Sequence, residues 1–302
     1  LKLLLHTSPK NLSLPQGLPL YFFPAFLALP QRPHSLLFEA RTDNHAPVYF
    51  ACTLHEKTAT SLAKSPFGSF WSQEALTSTL FDQLLNELYE KLLSLGASIL
   101  RISQPPDFYS GFVPPEWLEA AGFDVDTCEI NQHMVLSLPA TLHKMEKRKI
   151  HSIQAKGAVC RCAGKDELPV IHDFIAECRQ HQGLTINISR ENFLLQLTTF
   201  PDFHDVWVME QNQELMAVCV TLMVTPDIAY TYLPATRQTF KKDSPMAGLL
   251  HTMSIHYQAR GVQYLDLGLS SIQGIKQEGL FTFKQRMGAL SKNRLTYFKT
   301  LR

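Results

Sequence analysis

No apolar run in this sequence approaches the roughly 20 residues that a membrane-spanning helix needs. The longest strongly apolar stretch, Tyr21 to Leu29, is interrupted by Pro24, so no membrane insertion is expected. Cysteine is sparse, six in 302 residues, and falls mostly inside apolar segments such as Val218-Cys219-Val220. That usage excludes a disulfide framework and fits a reducing, cytoplasmic compartment. The opening Leu1 to His6 lacks the basic region, long apolar core and small-residue cleavage site of a secretory signal. It reads as a first strand that has lost its initiator Met. A low-complexity linker is also missing, so any domains are expected to pack directly.

Several familiar chemistries lose their support in the same way. No Gly-x-Gly-x-x-Gly follows a strand, and there is no Gly-x-x-x-x-Gly-Lys-Ser/Thr, His-Glu-x-x-His or Gly-x-Ser-x-Gly. Ser61-Leu62-Ala63-Lys64 matches Ser-x-x-Lys, a common pattern that carries little weight alone. Cys160, Cys162, His172, Cys178 and His181 fit no standard zinc spacing and read as buried thiols and surface imidazoles. Neither a metal nor a tightly bound cofactor is expected.

What is present is a globular composition, with 45% hydrophobic and 18% charged residues and 19 Phe, 9 Tyr and 3 Trp. This material fills a sizeable core, and the length predicts two domains or one large one. The net charge of +1 conceals a division: residues 1–139 carry −5 and residues 140–302 carry +6, while the span from Arg237 to the end carries +8. A positive field of this kind suits phosphate-bearing ligands or an RNA backbone, or is simply a solvated basic face.

The pattern of elements predicts an α+β fold in two similar halves, 1–139 and 140–302. In the first, strands at 35–40 and 48–54 precede a helical stretch with Leu80, Leu84, Leu85, Leu88, Leu92 and Leu95 in register, stopped by Gly96. A strand at 97–102, a short helix at 114–121 closed by Gly122 and a strand near 126–138 follow. In the second, helices at 142–156, 167–181 and 190–199 lead to strands at 206–210, 215–224 and 228–233. A helix from Ser244-Pro245 to about Ala259 then stops at Gly261, a strand covers 262–267, and a short helix at 279–287 precedes Gly288. The two glycine pairs bracket the same strand, break and short helix, which points to an internal duplication.

Two segments gather candidate functional groups. The stretch from Lys144 to Gly157 sets Arg148 and Lys149 among other cations on a helix, with Ile150 and Ile153 beneath; it binds phosphates, bridges the halves or is a solvated helix. Gly279-Leu280-Phe281-Thr282-Phe283-Lys284-Gln285-Arg286-Met287-Gly288 is a glycine-opened aromatic helix in the most basic region. Its N-terminal N–H groups suit an anion, and Lys284 or Arg286 facing a cleft suits a phosphate or a developing oxyanion. The plainer reading divides Phe281 and Phe283 between core and surface and leaves both cations in solvent.

Three passages resemble the Fem family (FemX/FemAB-like) of peptidyltransferases, which are built from two GNAT-type acyltransferase domains in tandem. They are the basic helix ending Gln154-Ala155-Lys156-Gly157, the run from Ser244-Pro245 through Gly261 to Tyr264-Leu265-Asp266-Leu267-Gly268, and Gly279-Leu280 leading to Phe283-Lys284 and Gly288. The resemblance implies two tandem GNAT-like domains, each a mixed, mostly antiparallel sheet flanked by helices. It implies an acyltransferase that moves an aminoacyl group from charged tRNA, or another acyl group, onto an amine, with peptidoglycan precursors as the family's setting. It also implies a catalytic role for Lys284 at the reacting carbonyl with Phe283 beside it, and a phosphate-bearing small-molecule acceptor rather than DNA.

The sequence departs from that family at His151, where an arginine is usual, and in lacking a coiled-coil arm. A GNAT fold also allows acetyl-CoA as donor, yet the corresponding stretches Arg237-Gln238-Thr239-Phe240-Lys241-Lys242 and Lys64-Ser65-Pro66-Phe67-Gly68-Ser69 lack the glycines that let backbone approach a pyrophosphate. Arg237, Lys241 and Lys242 remain candidates for another phosphate, along with Arg148, Lys149 and Arg286. Beside the aminoacyl reading stand an acetyl-CoA-dependent N-acetyltransferase and a catalytically inactive GNAT-like binding protein.

Overall fold

The computed structural model describes residues 1–6, 14–15 and 17–302. The chain clusters into two compact units. The first is made of 1–132, 271–276 and 292–302, and the second of 133–270 and 277–291. The sequence reading keeps 140–302 together as one domain; in the structure the final segment pairs with strands of the first unit, because a β-strand satisfies its backbone wherever an open edge receives it.

In chain order the first unit contains β1 (Lys2–His6), α1 (Pro24–Leu27), β2 (Ser35–Thr42), β3 (His45–His55), β4 (Thr58–Ser61), β5 (Trp71–Ser72), α2 (Ser78–Ser94), β6 (Ile99–Ser103), α3 (Pro115–Ala120) and β7 (Asp124–Val125). The second contains β8 (Asn131–Ser137), α4 (Lys144–Ala155), β9 (Val159–Cys162), α5 (Leu168–Gln180), α6 (Arg190–Thr199), β10 (His204–Gln211), β11 (Glu214–Thr225), β12 (Ile228–Thr236), α7 (Pro245–Ala259) and β13 (Tyr264–Leu269). After the small hairpin of β14 (Ser271–Ile272) and β15 (Ile275–Lys276) come α8 (Glu278–Arg286), β16 (Leu290–Arg294) and β17 (Thr296–Thr300).

One sheet runs β1-β2-β3-β4-β6-β17-β7, with β5 on β3; the other runs β16-β8-β13-β12-β11-β10-β9. Their pairings are mostly antiparallel. Among the described pairings β4 with β6 and β12 with β13 are parallel, and in each case a long helix, α2 or α7, connects the two strands. A parallel pair requires such a crossover. The same strand-helix-strand unit, followed by a short helix, thus occurs in both halves, as the glycine spacing predicts.

The glycines end these helices for a physical reason. Gly96, Gly122, Gly261 and Gly288 all have positive φ, between 75° and 95°, the left-handed conformation that closes a helix at little cost only for glycine. Gly288 is the most constrained, since a Cβ there would lie 2.5 Å from the Thr141 carbonyl oxygen. At its other end α2 begins where Thr77 Oγ1 accepts the Leu80 N–H at 3.2 Å. Its Leu84, Leu85, Leu88 and Leu92 are buried against the first sheet, each contributing about 1.5–3 kcal/mol.

Two expectations are corrected. The strand anticipated across 126–138 is interrupted by a 3-10 turn at Thr127–Glu129, which leaves β7 and β8 in different sheets. His172, expected at the surface, is buried on α5 with Nε2 at 3.1 Å from the Ile188 carbonyl.

Candidate functional site

The chemistry concentrates where β13 ends and α8 begins. Ladder pairing of β13 with β12 stops at Tyr230↔Asp266, and its register with β8 shifts between Asp266 and Leu269. This is a β-bulge, turned by Gly268 at φ +70°. Bulges re-aim the groups that follow them. Here the carbonyls of the consecutive residues Gly268 and Leu269 converge on one atom, the Lys284 ammonium, at 3.1 and 2.8 Å. Along a regular strand successive carbonyls point to opposite sides.

Lys284 is 7% exposed. Burial lowers its pKa to about 8, against the opposing pull of the Asp266 charge, so it is still mostly protonated at neutral pH. Its third N–H has no partner among the described residues. Asp266 is fully buried and its Oδ1 accepts from His133 Nε2 at 2.5 Å and from the Gly268 N–H at 2.7 Å. Sequence reading does not find His133, and no local signal reveals it, because 133 residues separate the two partners.

The other predicted residues divide into two groups. Phe283, Arg286 and Lys149 line a pocket of about 490 Å³ between α8 and α4, together with Glu146, Glu278 and Thr282. Lys149 is paired with the buried Glu146 at 2.9 Å, whereas the Arg286 guanidinium has no partner among the described residues. Lys284 is not in this lining, since it faces β13 from another side of the same helix. The N-terminus of α8 also departs from the anion site expected of it: Glu278 occupies the first turn and supplies the negative charge that the helix dipole favours there.

The second group lies at the β12–α7 connection. Arg237 is held by Glu214 at 3.0 Å and Glu177 at 3.6 Å and stacks over Phe174. Lys241 and Lys242 are exposed on a 3-10 turn, Arg148 is exposed on α4, and Lys156 at the end of α4 pairs with Asp243. Lys156 of the second group stands about 10 Å along α4 from Lys149 of the first, whereas Arg148 adjoins Lys149 in the chain.

The β12–α7 connection matters for the donor. Phe240 packs against the core and Pro245 stands at the start of α7 without an N–H, so the row of free backbone donors that a pyrophosphate needs does not form there. Burial raises the pKa of Cys52, Cys160, Cys178 and Cys219, which makes these four thiols poor nucleophiles. Among the described residues no group of His, Cys, Asp and Glu is arranged to hold a metal ion, and no helix is long and apolar enough to cross a membrane.

The chain is similar to known proteins in one sequence domain and in fold. Residues 143–284 match the model of the acetyltransferase (GNAT) domain, a span that ends on Lys284. No curated protein matches the chain significantly in sequence. In structure it is similar to FemX, with a TM-score of 0.66 over 88% of each chain at 10% identity. It is also similar to L-PGS from Bacillus licheniformis (TM-score 0.61, 11% identity, 88% of this chain and 85% of that one). A tandem GNAT protein from the clavulanic acid biosynthesis pathway gives a TM-score of 0.53 at 10% identity over 89% of this chain and 83% of that one. Residues 143–284 thus match the GNAT acetyltransferase domain, the fold is similar to that of FemX and of a tandem GNAT protein, and together these support an acyltransferase.

Proposed function

We propose that this acyltransferase moves an aminoacyl group onto an amine, with Lys284 stabilising the oxyanion. The observation that carries the reading is the Lys284 ammonium, buried, anchored by two carbonyls and left with one free N–H. An uncharged amine attacks the acyl carbon, the carbonyl electrons move onto oxygen, and the leaving oxygen departs with its bonding pair when the carbonyl re-forms, taking up the proton that the amine nitrogen gives up. A donor already fixed before reaction and removed from water stabilises that oxygen strongly. Arg286, the unpaired cation of the α4–α8 pocket, is suited to a phosphate on the acceptor.

An aminoacyl donor is favoured over acetyl-CoA because the β12–α7 connection lacks a pyrophosphate cradle, and Lys241 and Lys242 instead present exposed cations to a polyanion such as charged tRNA. The similarity to FemX and to L-PGS supports the same choice. Two measurements test it. Lys284→Ala is expected to lower aminoacyl transfer by at least about 100-fold, as loss of an oxyanion donor does, with the folded state retained by circular dichroism; undiminished transfer overturns the assignment. A thermal-shift titration is expected to show stabilisation by charged tRNA and none by acetyl-CoA up to millimolar concentrations, since a ligand of the folded state raises its stability by mass action. A saturable shift at micromolar acetyl-CoA reverses the choice of donor.

A further inference from the structure

The buried pair His133–Asp266 has no place in the reaction just described, and its location explains what it does. Both side chains are fully buried, a costly arrangement for a carboxylate unless each interaction it makes is productive. Asp266 Oδ1 holds the Gly268 N–H at 2.7 Å, and the carbonyl of that same Gly268 accepts from Lys284 Nζ at 3.1 Å. The Thr231 hydroxyl secures the Asp266 carbonyl at 3.1 Å, and the Tyr230 ring lies beside Gly268 and His133. Asp266 and Gly268 are therefore held from behind, while the carbonyls of Gly268 and Leu269 turn to Lys284.

We propose that Asp266 and His133 are positioning residues for Lys284: the His133–Asp266 hydrogen bond orients the carboxylate, the carboxylate pins the Gly268 peptide, and the bulge so fixed holds the ammonium in place and charged. The inference rests on the reading of Lys284 given above, but its test does not. The groups facing Lys284 are Asp266 on β13 and, behind it, His133 on β8, while Arg286 on the same helix turns to the α4–α8 pocket. Asp266→Asn removes the charge at nearly constant shape.

The readout is the titration of Lys284 in the full chain without substrate, followed by trace acetylation with acetic anhydride between pH 6 and 11 and mass spectrometry of the Lys284 peptide. The midpoint is expected to fall by about one pH unit or more in Asp266→Asn, because the opposite charge of Asp266 favours the ammonium. An unchanged or raised midpoint overturns the proposal. Gly268→Ala is the second variant, keeping the carboxylate and straining the bulge at φ +70°; it is expected to raise Lys284 labelling at neutral pH several-fold, and unaltered labelling there also overturns it. If the midpoint moves while Lys284→Ala still transfers acyl groups, the positioning role stands and the catalytic reading fails. If the midpoint is fixed while Lys284→Ala is inactive, the reverse holds.

Discussion

Lys284 makes stability depend on pH in a direction opposite to that of a paired cation, whose pKa is raised on folding. Its ordinary pKa of 10.5 falls to about 8 in the folded chain, chiefly through burial. Below pH 8 both folded and unfolded chains carry the proton, and the folded state bears the full cost of the buried charge. The drop corresponds to about 3 kcal/mol at about 1.4 kcal/mol per pH unit. Between pH 8 and 10.5 the unfolded chain binds the proton more tightly than the folded one, so stability rises with pH. Above 10.5 both forms are neutral and the cost is gone. The comparison to make is wild type against Lys284→Met by urea unfolding at steps from pH 7.5 to 10.5. Tyr49, Tyr257 and the other residues titrate alike in both proteins and cancel in the difference. The wild type is expected to gain on the variant by about 3 kcal/mol across that range, most steeply near the middle. A difference that stays constant within about 0.5 kcal/mol, or that declines with pH, refutes the burial argument.

Other perturbations have equally definite outcomes. Gly288→Ala forces a Cβ to within 2.5 Å of the Thr141 carbonyl at φ +95° and is expected to cost about 2 kcal/mol or more, against about 1 kcal/mol for Gly157→Ala, where φ is +82° and nothing lies within 4 Å; urea midpoints measure both. Glu39 is pushed up by burial, but hydrogen bonds from Arg41 at 2.7 and 3.1 Å and His6 at 2.8 Å outweigh this and hold its carboxyl below the ordinary 4.5. Its stabilisation is present above that value and lost as the carboxylate protonates, so the stability gap between wild type and Glu39→Gln is expected to shrink on acidification below pH 4.5, as followed by urea titration. Binding of charged tRNA is expected to weaken with salt, and Lys241→Ala with Lys242→Ala to reduce the slope of log affinity against log salt by about 1 to 2; a slope equal to wild type removes these lysines from the tRNA surface.

The parts of the fold that the sequence reveals are those decided locally. Arg190–Thr199 and Pro245–Ala259 form helices at the anticipated positions, because Ser189 caps the first and Pro245 opens the second. Gly96, Gly122, Gly261 and Gly288 mark helix ends because backbone sterics alone reserve those conformations for glycine. Strands that depend on remote partners are not legible. β17, with only five residues, owes its place to Leu100 and Ile102 on one side and Val125 on the other. The site divides in the same way. Lys284 stands out through the motif around it, whereas the carbonyls that hold it and the His133–Asp266 pair arise from a bulge that no spacing announces. Arg237 looks like a phosphate ligand until Glu214 and Glu177 are found beside it.

The insertion of β17 between β6 and β7 has a consequence for how the chain is made. During synthesis the first unit emerges with β6 lacking its neighbour, since Thr296–Thr300 is translated almost two hundred residues after Ile99–Ser103. Until then Leu100 and Ile102 sit on an open edge able to recruit a foreign strand. Pairing of Thr296–Thr300 with Ile99–Ser103 therefore completes the first sheet only after residues 133–270 have been synthesised. Translation halted before residue 292 is expected to yield an aggregating product, and supplying residues 292–302 as a peptide is expected to rescue it.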